Sequence, residues 1–509
     1  MNGPARLAAA MRRLAGWRRL ACAFALGAFS AIALAPIEFF PALLLGLAGL
    51  ALLLDGAADG PHRWRAAATT GWAFAFGQFV IGLHWLAYPL LVDPARYLWM
   101  LPFAVMGLPA FLGLFGALGV LPALLAPRPG TARLLLLAVG YGAAEWLRGH
   151  VLTGFPWNLP AYGWGASLAV MQSAALFGAY GLSLLTILLG VSLAELTRRR
   201  FVLPGAMVLV FLGLWGFGMS QLAHPAVMVP GVTLRLVQPD VPQTEMKGRF
   251  LNRNLQRLVR LSSRPGNPTH IVWPEAAVAY PLARWPLAED EIRLLTARGA
   301  VLMTGSIREA ESAKTFTWYN SLYLFGPHGA PLDVYDKSHL VPFGEYVPWP
   351  GLLNPLGIAQ LIGLIPATPG DGLHRYAVPG APSVTPLICY EDIFPGAVTA
   401  KEGRSGWLVN ITDDSWFGPW AGPAQHLLTA RMRAIEEGLP MARAANTGIS
   451  AMIDARGRIV GKLGLNQLGI VDAPLPAALN PTPYARFGDS VFLVLLIMGA
   501  ALGLLARRA

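Results

Sequence analysis

The chain has 509 residues, of which 55% are hydrophobic and only 13% are charged. A chain this long and this apolar is not one ordinary soluble domain, so its composition predicts a largely membrane-embedded protein. The formal net charge of +11 does not indicate nucleic-acid binding, because the arginines cluster beside apolar segments, as they do at the cytoplasmic face of membranes. These clusters are Arg12-Arg13, Arg18-Arg19, Arg198-Arg199-Arg200 and Arg507-Arg508.

The apolar stretches predict a multi-pass membrane protein. Seven stretches precede residue 224, an eighth covers about 489–506, and each is close to the roughly 20 residues that cross a bilayer core. We predict an N-terminal membrane domain over 1–224, with about seven transmembrane helices, and a C-terminal transmembrane helix over 486–509. With the arginine clusters in the cytoplasm, residues 225–485 form a domain on the periplasmic side. The seven stretches are approximately 19–35, 38–54, 67–91, 98–126, 132–148, 167–195 and 201–222.

One predicted non-cytoplasmic loop, residues 154–164, is rich in aromatic residues, proline and glycine. Trp and Tyr near a span end usually belong to the interfacial belt, and a substrate portal is the sharper interpretation of the same loop. Glu145 lies beside Arg148 near the end of a predicted span, and we expect it at the membrane interface as well.

After His224, short apolar runs alternate with helical patterns, which predicts an α/β domain. Turn signals predict hairpins around 326–329 and 455–457. Arg431, Arg433 and Glu436 share a helical spacing and are expected to form a solvated or ion-paired face. The predicted strands cover 232–236, 271–273, 301–303, 318–325, 332–336, 383–389, 407–411, 449–454 and 459–460, and the predicted helices cover 251–259, 287–297 and 424–437.

Cys389 follows an apolar run directly and precedes an aromatic residue and two acids. The other cysteine, Cys22, lies in an apolar segment, where a thiol behaves as a small buried hydrophobe. Glu275 and Lys337 also follow predicted strands, and strand ends gather side chains at one rim of a sheet. A thiol, a carboxylate and an ammonium suffice for acyl transfer. Taken singly, the three could instead be a core thiol, a helix cap and a surface partner of Asp336.

Three motifs resemble those of the nitrilase superfamily: WPE at 273–275, YDKSHLVPFGE at 335–345 and ICYED at 388–392. With several apolar stretches before them and one after, the chain more narrowly resembles the apolipoprotein N-acyltransferase family over essentially its whole length. The segments NITDDSWFG at 410–418 and RAANTGIS at 443–450 extend the resemblance.

The resemblance implies a nitrilase-like αββα sandwich with a Glu275, Lys337 and Cys389 triad. It implies that Cys389 attacks the ester of a membrane phospholipid, typically phosphatidylethanolamine, forming a thioester and releasing a lysophospholipid. The thioester would then acylate the α-amine of a diacylglyceryl-cysteine apolipoprotein, the last step of lipoprotein maturation. Glu275 would act as general base and Lys337 would stabilise the oxyanion.

The resemblance also implies which residues support this chemistry. Glu345, Tyr390 and Glu391 would support the site, and the Tyr390 backbone N–H would be a second oxyanion donor. Trp416 and Phe417 are either core aromatics or an apolar lid over a lipid-facing pocket. Asn410 is a further candidate for substrate contact or for the lid.

One position departs from the family. Its members usually carry a Trp shortly after the turn that begins at Gln238, and this chain has Lys247 or Gly248 there. The departure bears on contact with the lipid or the lipoprotein, and it leaves the triad untouched.

Two other functions compete with the acyltransferase. A membrane-tethered nitrilase-type amidase would act on a small soluble amide. A transporter or receptor would place ionisable residues inside its spans, and His84 and Glu145 are the obvious candidates. We expect no metal, no cofactor and no nucleic acid. The expected state is a monomer whose partners are the bilayer, a phospholipid acyl donor and a diacylglyceryl apolipoprotein acceptor.

Overall fold

The computed structural model describes residues 3–60, 62–312, 315–353, 355 and 366–507. The chain divides into two compact units, one formed by Met1–His224 with Pro481–Ala509 and the other by Pro225–Asn480. Helices of ten or more residues are α1 (Gly3–Arg12), α2 (Gly16–Ser30), α3 (Phe40–Ala58), α4 (Arg63–Gly82), α5 (Leu108–Gly119), α6 (Thr131–His150), α7 (Ala174–Ser192), α8 (Val202–Ala223), α9 (Leu251–Ser262), α10 (Pro286–Thr296), α11 (Ala421–Glu437) and α12 (Ser490–Ala506).

The strands belong to the second unit. They are β1 (Met228–Gln238), β2 (His270–Val272), β3 (Val301–Ser312), β4 (Thr315–Phe325), β5 (Pro331–Asp336), β6 (Tyr376–Val378), β7 (Ala381–Ile388), β8 (Trp407–Thr412), β9 (Met441–Ala445), β10 (Ser450–Ile453), β11 (Ile459–Leu463) and β12 (Gly469–Pro476).

The first unit is a bundle of apolar helices. Four helical stretches among its described residues are long and apolar enough to cross a membrane, or five if the bent pair Arg63–Gly82 and His84–Leu91 forms one span. Helices α2 and α4 touch at Gly27, where an added Cβ would lie 1.8 Å from the Phe74 carbonyl oxygen. Small residues at helix crossings are typical of membrane bundles. The number of spans and the side of the membrane stay predictions.

The aromatic loop over 154–164 lies inside this bundle. Trp157 is 1% exposed and Trp164 is 6% exposed. The Trp157 ring contacts Trp85 with centroids 4.8 Å apart, and Trp164 stacks on Phe40 at 4.8 Å. The rings of this loop therefore fill the space between helices, and the interfacial belt and the substrate portal stay predictions.

Glu145, which we expected at the membrane interface, and Arg148 are both buried among the helices. They are 5% and 1% exposed and form an ion pair one helical turn apart on α6. Arg148 donates a second hydrogen bond to the Trp157 carbonyl oxygen at 2.9 Å. A buried charge needs such partners, so this arginine holds the aromatic loop against α6.

The second unit contains two six-stranded sheets with the strand orders β12-β1-β2-β3-β4-β5 and β11-β10-β9-β8-β7-β6. In β1, Leu234 and Leu236 join the core between the sheets, whereas Val237 joins a second core beside α9 and α10. In β8, Val409 faces the shared core and Leu408 faces α11. This alternation buries both faces of each sheet and gives the αββα sandwich that the resemblance implied.

Some elements differ from the sequence prediction. The prediction for 301–303 covers a quarter of β3, which pairs with β4 from Leu302 to Ser312 as a long hairpin. The strands β6, β9 and β12 were not predicted. Arg433 and Glu436 are ion-paired as expected, at 2.9 Å, but both are fully buried rather than solvated.

Candidate active site

Three strand ends bring the predicted triad together in the second unit. Glu275 follows β2 after two residues, Lys337 follows β5 directly, and Cys389 follows β7 directly. Their exposed fractions are 8%, 1% and 6%. A carboxylate, an ammonium and a thiol at such burial act on one another through a medium of low polarity, so their charges matter more than they would in water.

Lys337 lies between two carboxylates. Its Nζ is 2.9 Å from Glu345 Oε2 and 3.7 Å from Glu275 Oε1. Asn320 Nδ2 donates to both acids, at 2.8 Å to Glu275 Oε1 and 3.0 Å to Glu345 Oε1. The Asn320 carbonyl oxygen accepts the backbone N–H of Lys337 at 2.8 Å. Asn320 thus fixes the spacing of all three charged groups, and neither sequence pattern nor resemblance had singled it out.

Backbone amides hold one oxygen of each carboxylate. The N–H of Asp413 donates to Glu275 Oε2 at 2.8 Å, and the N–H of Val341 donates to Glu345 Oε2 at 2.8 Å. Each of these hydrogen bonds fixes the orientation of its carboxylate. Glu275 is therefore oriented from both sheets, because Asn320 belongs to the first and Asp413 follows β8 of the second.

Cys389 occupies a tight turn at the end of β7. Its φ is +52°, a left-handed conformation that a residue with a Cβ rarely adopts. The Asn410 Nδ2 donates to the Cys389 carbonyl oxygen at 3.2 Å, and the N–H of Ile388 donates to Glu391 Oε2 at 2.7 Å. The turn is thus clamped on both sides of the thiol, which keeps the strained backbone in place.

Glu391 connects this turn to the segment that carries Lys337. Its Oε1 accepts from the Tyr335 hydroxyl at 2.6 Å, from the Ser338 N–H at 2.9 Å and from the His339 N–H at 3.0 Å. Its Oε2 accepts the backbone N–H of Ile388 in the cysteine turn. Because one buried carboxylate binds both segments, the relative position of nucleophile and ammonium depends on it.

The thiol keeps its proton at neutral pH. Burial raises the pKa of Cys389 well above its ordinary value and the charge of Glu275 raises it further, whereas Lys337 opposes both. Burial alone would lower the pKa of Lys337, but the charges of Glu345 and Glu275 outweigh it and the pKa lies above its usual range. The resting site thus pairs a neutral thiol with a lysine that stays charged, and a base must take the thiol proton before attack.

Four fully buried charged residues lie beneath the cysteine turn: Asp392, Asp414, His426 and Arg443. Arg443 contacts both acids, with Nη1 at 3.0 Å from Asp392 Oδ2 and Nη2 at 2.8 Å from Asp414 Oδ2. His426 bridges the same acids, with Nε2 at 2.9 Å from Asp392 Oδ1 and Nδ1 at 2.8 Å from Asp414 Oδ1. Burial and Arg443 lower the pKa of His426, but the two acids outweigh them and raise it. The Arg443 guanidinium and the His426 ring therefore hold both acids in place.

This network reaches the nucleophile through Asn410. Arg443 Nη1 donates to Asn410 Oδ1 at 2.5 Å, and the Asn410 amide holds the Cys389 carbonyl oxygen. Sequence reasoning missed the network, yet a signal was present. Arg443 lies within the buried strand β9, and an arginine in an apolar strand must find buried carboxylates.

The remaining predicted site residues differ in how far they are exposed. Tyr390 is 5% exposed and packs edge-on against Phe394 with ring centroids 5.1 Å apart. Asn410 is fully buried, so it contacts the cysteine turn from the interior rather than from a lid. Trp416 is 41% exposed, and Phe417 packs edge-on against His426 at 5.3 Å.

The sequence matches two family descriptions. Residues 238–484 match the carbon-nitrogen hydrolase family, and residues 26–192 match the apolipoprotein N-acyltransferase N-terminal domain. Among solved structures, a mutant of the amidase from Nesterenkonia sp. AN1 is similar with a TM-score of 0.37 and 18% identity, over 53% of this chain and 98% of that chain.

Curated relatives are similar over nearly their whole length. The apolipoprotein N-acyltransferase of Rhodopseudomonas palustris is 42% identical over 97% of this chain and 96% of its own. That of Bradyrhizobium diazoefficiens is 43% identical over the same shares of both chains. A membrane bundle, a nitrilase-like sandwich and this degree of identity agree, and the chain belongs to the apolipoprotein N-acyltransferase family.

Proposed function

We propose that the protein carries an acyl chain from a membrane phospholipid, with phosphatidylethanolamine as the typical donor, to the α-amine of diacylglyceryl-cysteine on apolipoproteins. The observation that carries the proposal is that Glu275 and Glu345 converge on Lys337, while the charges of Glu275 and Lys337 act on the thiol of Cys389. Family membership supports an acyltransferase over the amidase that hydrolyses a small soluble amide. Membership also argues against the transporter, because the chain shares the enzyme's domains throughout.

In the first step, Glu275 takes the Cys389 proton as the thiolate attacks the carbonyl carbon of the phospholipid ester. The oxyanion that forms is stabilised by the Lys337 ammonium and the backbone N–H of Tyr390. When the carbon–oxygen bond breaks, the lysophospholipid leaves as an alcohol that carries the proton from Glu275. The acyl chain remains on sulfur as a thioester, and Glu275 is again ionised.

In the second step, the neutral α-amine of the acceptor attacks the thioester carbon. Glu275 takes a proton from the attacking nitrogen, Lys337 again stabilises the oxyanion, and the carbon–sulfur bond breaks. The departing thiolate recovers a proton from Glu275. The product is an amide, and the enzyme returns to its starting protonation.

The other site residues would act through this triad. Glu345 holds the Lys337 ammonium, while Glu391 and Asn410 hold the cysteine turn that presents the Tyr390 N–H. Trp416, with 41% of its surface exposed, remains our candidate for an apolar lid together with Phe417. Each acyl CH₂ costs roughly 0.8 kcal/mol to expose to water, which favours apolar side chains at the entrance to the site.

We further propose that the protein acts as a monomer in a bacterial inner membrane, with residues 225–485 on the periplasmic side. The membrane domain would cover 1–224 with about seven spans, and 486–509 would form the last span. The support is the clustering of arginines beside apolar segments, a pattern that favours the cytoplasmic side for those flanks.

The test is the intact mass of the purified protein after incubation with phosphatidylethanolamine. We expect an added acyl mass that hydroxylamine removes, because hydroxylamine cleaves thioesters. The adduct should be absent from Cys389→Ala and present in Cys22→Ala, the matched control for the only other cysteine. An adduct that persists in Cys389→Ala would show that Cys389 is not the nucleophile. A folded wild type without any adduct would exclude phosphatidylethanolamine as the acyl donor.

A further inference from the structure

Helix α9 and the turn before it carry a row of cations, here called the basic strip. From Arg249 onward its members recur every three or four residues, and Arg253, Arg257 and Arg260, which lie within α9, share one side of the helix. Five of the six are exposed, and Arg257 is half-buried. The opposite side of α9 packs Leu255 and Leu258 into the core beside the first sheet. The basic strip consists of Lys247, Arg249, Arg253, Arg257, Arg260 and Arg264.

The charges of the strip favour an anionic partner. Like charges at a spacing of three or four residues destabilise a helix in water, and α9 contains no acidic residue to offset them. Glu245 pairs with Arg253, and the carboxylate of Asp240 interacts with Arg257. Among the residues that the structure describes, the six cations have these two carboxylates as partners. A surface that carries phosphate groups would supply the missing charge.

A bilayer is an anionic surface that stays near the basic strip, because the unit that carries the strip is joined to apolar helices. The unit that holds the strip follows the apolar helix α8 and precedes the apolar helix α12 in the sequence. A unit tethered to membrane helices at both ends meets the headgroups at a high effective concentration. Rows of Lys and Arg on a helix are the pattern that anionic headgroups attract.

Hydrogen bonds connect the strip to the active site. Arg257 donates to the Pro239 carbonyl oxygen at 2.9 Å and to the Asp240 carbonyl oxygen at 3.0 Å. In the same loop, Gln243 donates to the carboxylate of Asp413 and, at 2.6 Å, to the Ser415 hydroxyl. The backbone N–H of Asp413 is the donor to Glu275. A contact on α9 is thus three hydrogen-bonded steps from the general base.

We propose that the basic strip docks on the anionic phospholipid headgroups of a bilayer and that this contact speeds thioester formation at Cys389. The proposal rests on the proposed function for its rate effect, and it names an anionic phospholipid as a second lipid beside the acyl donor. The docked lipid is not consumed. It holds α9, and through it the loop that reaches Asp413, in the arrangement the reaction needs.

The test uses the full-length protein in vesicles with a fixed fraction of phosphatidylethanolamine. Phosphatidylglycerol replaces phosphatidylcholine stepwise, and the initial rate of acyl-enzyme formation is followed by intact mass. We expect the wild-type rate to rise at least about fivefold, the effect of roughly one arginine near an anionic surface. High salt should abolish the rise. The variant Arg253→Gln/Arg260→Gln/Arg264→Gln should show no rise, while its rate in vesicles without phosphatidylglycerol equals that of the wild type.

A matched control removes the same charge elsewhere. Arg293→Gln/Arg298→Gln/Lys401→Gln replaces three exposed cations of the same unit outside the strip, and it should respond to phosphatidylglycerol as the wild type does. The proposal is overturned if the strip variant keeps the wild-type response or if the control variant loses it.

A second readout does not depend on the reaction. Hydrogen exchange of residues 247–264 should slow in vesicles with phosphatidylglycerol and should not slow with inorganic phosphate in vesicles of phosphatidylcholine. Equal protection by inorganic phosphate would indicate a small-anion site and would overturn docking on a bilayer. Protection without any acyl-enzyme would instead leave the docking intact and count against the proposed function, so the two failures are distinguishable.

Discussion

Lys337 is a buried cation whose charge lowers the pKa of the neighbouring thiol. The substitution Lys337→Met keeps the length of the side chain and removes that charge, so the pKa of Cys389 should move still further above its ordinary value. Because only the thiolate reacts with iodoacetamide, alkylation of Cys389 at a fixed pH should slow by roughly tenfold per unit of pKa. The rate should rise with pH in both proteins, with the variant's profile displaced to higher pH.

The alkylation is followed by intact mass in a Cys22→Ala background, so that one thiol reports. Lys462→Met changes an exposed lysine of the same unit and should leave the profile where it is. An unchanged profile in Lys337→Met would contradict the electrostatic role of this lysine.

Glu391 joins the cysteine turn to the segment after Lys337 through hydrogen bonds to both. In Glu391→Gln, the new amide group must face backbone donors that the carboxylate oxygens accept, so buried groups lose their partners. We expect a loss of about 2 kcal/mol in the free energy of unfolding and a 10- to 100-fold slower thioester formation, in order of magnitude. Tyr335→Phe removes one donor to the same carboxylate and should cost about 1 kcal/mol. Equal effects of the two variants would show that the backbone contacts of Glu391 carry no weight.

Single residues were predictable from the sequence where an ionisable group directly follows an apolar run. Glu275, Lys337 and Cys389 are of this kind, and the structure places them together. Asp414 and His426 were not predicted, because their partner Arg443 is distant in the sequence and a buried ion network leaves no periodic pattern. Asn410 was considered for a lid because its motif alone does not tell which face of β8 it occupies.

At the scale of elements, the cysteine turn depends on the pairing of two parallel strands. Ile388 of β7 is in register with Ile411 of β8, which places Asn410 beside the Cys389 carbonyl oxygen. The variant Asn410→Leu removes the donor and leaves a buried carbonyl oxygen without it, so thioester formation should slow roughly 10-fold or more. Phospholipid retention should not change, since Asn410 is fully buried.

The control for this prediction lies on the same strand pair. Thr385 of β7 is also fully buried, and its hydroxyl donates to Ser405 at 3.0 Å, away from the turn. Thr385→Val should lower stability without slowing thioester formation. If thioester formation is equally fast in Asn410→Leu and Thr385→Val, the hydrogen bond from Asn410 to the Cys389 carbonyl oxygen does not matter for the reaction.

Helices and strands were predictable where the apolar pattern of their own residues determines them. The prediction failed where an element depends on contacts with residues distant in the sequence. The short buried strands near 271–273 and 407–411 were predicted because a parallel strand covered on both faces is continuously apolar. The far half of β3 is polar, and its pairing with β4 is what makes it a strand. The loop over 154–164 carries the composition of an interface, and only the surrounding helices bury Trp157.

At the scale of the whole molecule, the C-terminal segment completes the helical unit. Asp489 accepts from Trp146 Nε1 at 2.7 Å and from the Tyr484 hydroxyl at 2.8 Å, joining α6 to the start of α12. Asp489→Ala leaves two part-buried donors without this partner and should destabilise the unit by about 2 kcal/mol. The measurement is the thermal midpoint of unfolding in detergent, which should be lower in the variant than in the wild type.

Asp59→Ala is the matched control, because Asp59 is an exposed acid of the same unit at the end of α3. Its thermal midpoint should equal that of the wild type. A shift of the same size in both variants would mean that charge, and not the link between α6 and α12, determines the stability.

The membrane character and the two-unit division follow from hydropathy and from the change of pattern near residue 224. Hydropathy alone did not separate helices that meet lipid from stretches buried within the bundle. Of the described helical stretches that could span a membrane, Ala174–Arg198 is 78% buried inside the protein and Val202–Ala223 only 22%. Helix-to-helix contact, which no single stretch encodes, makes that difference.

The helical unit is assembled from two stretches that the ribosome delivers at different times. Residues 481–509 emerge only after the whole of residues 225–480 has been synthesised. Until then, Trp146 has no Asp489 to bond, and the bundle made from the first stretch is unfinished. A nascent chain that stalls within 225–480 therefore exposes an incomplete bundle to membrane quality control, even when it already contains the cysteine.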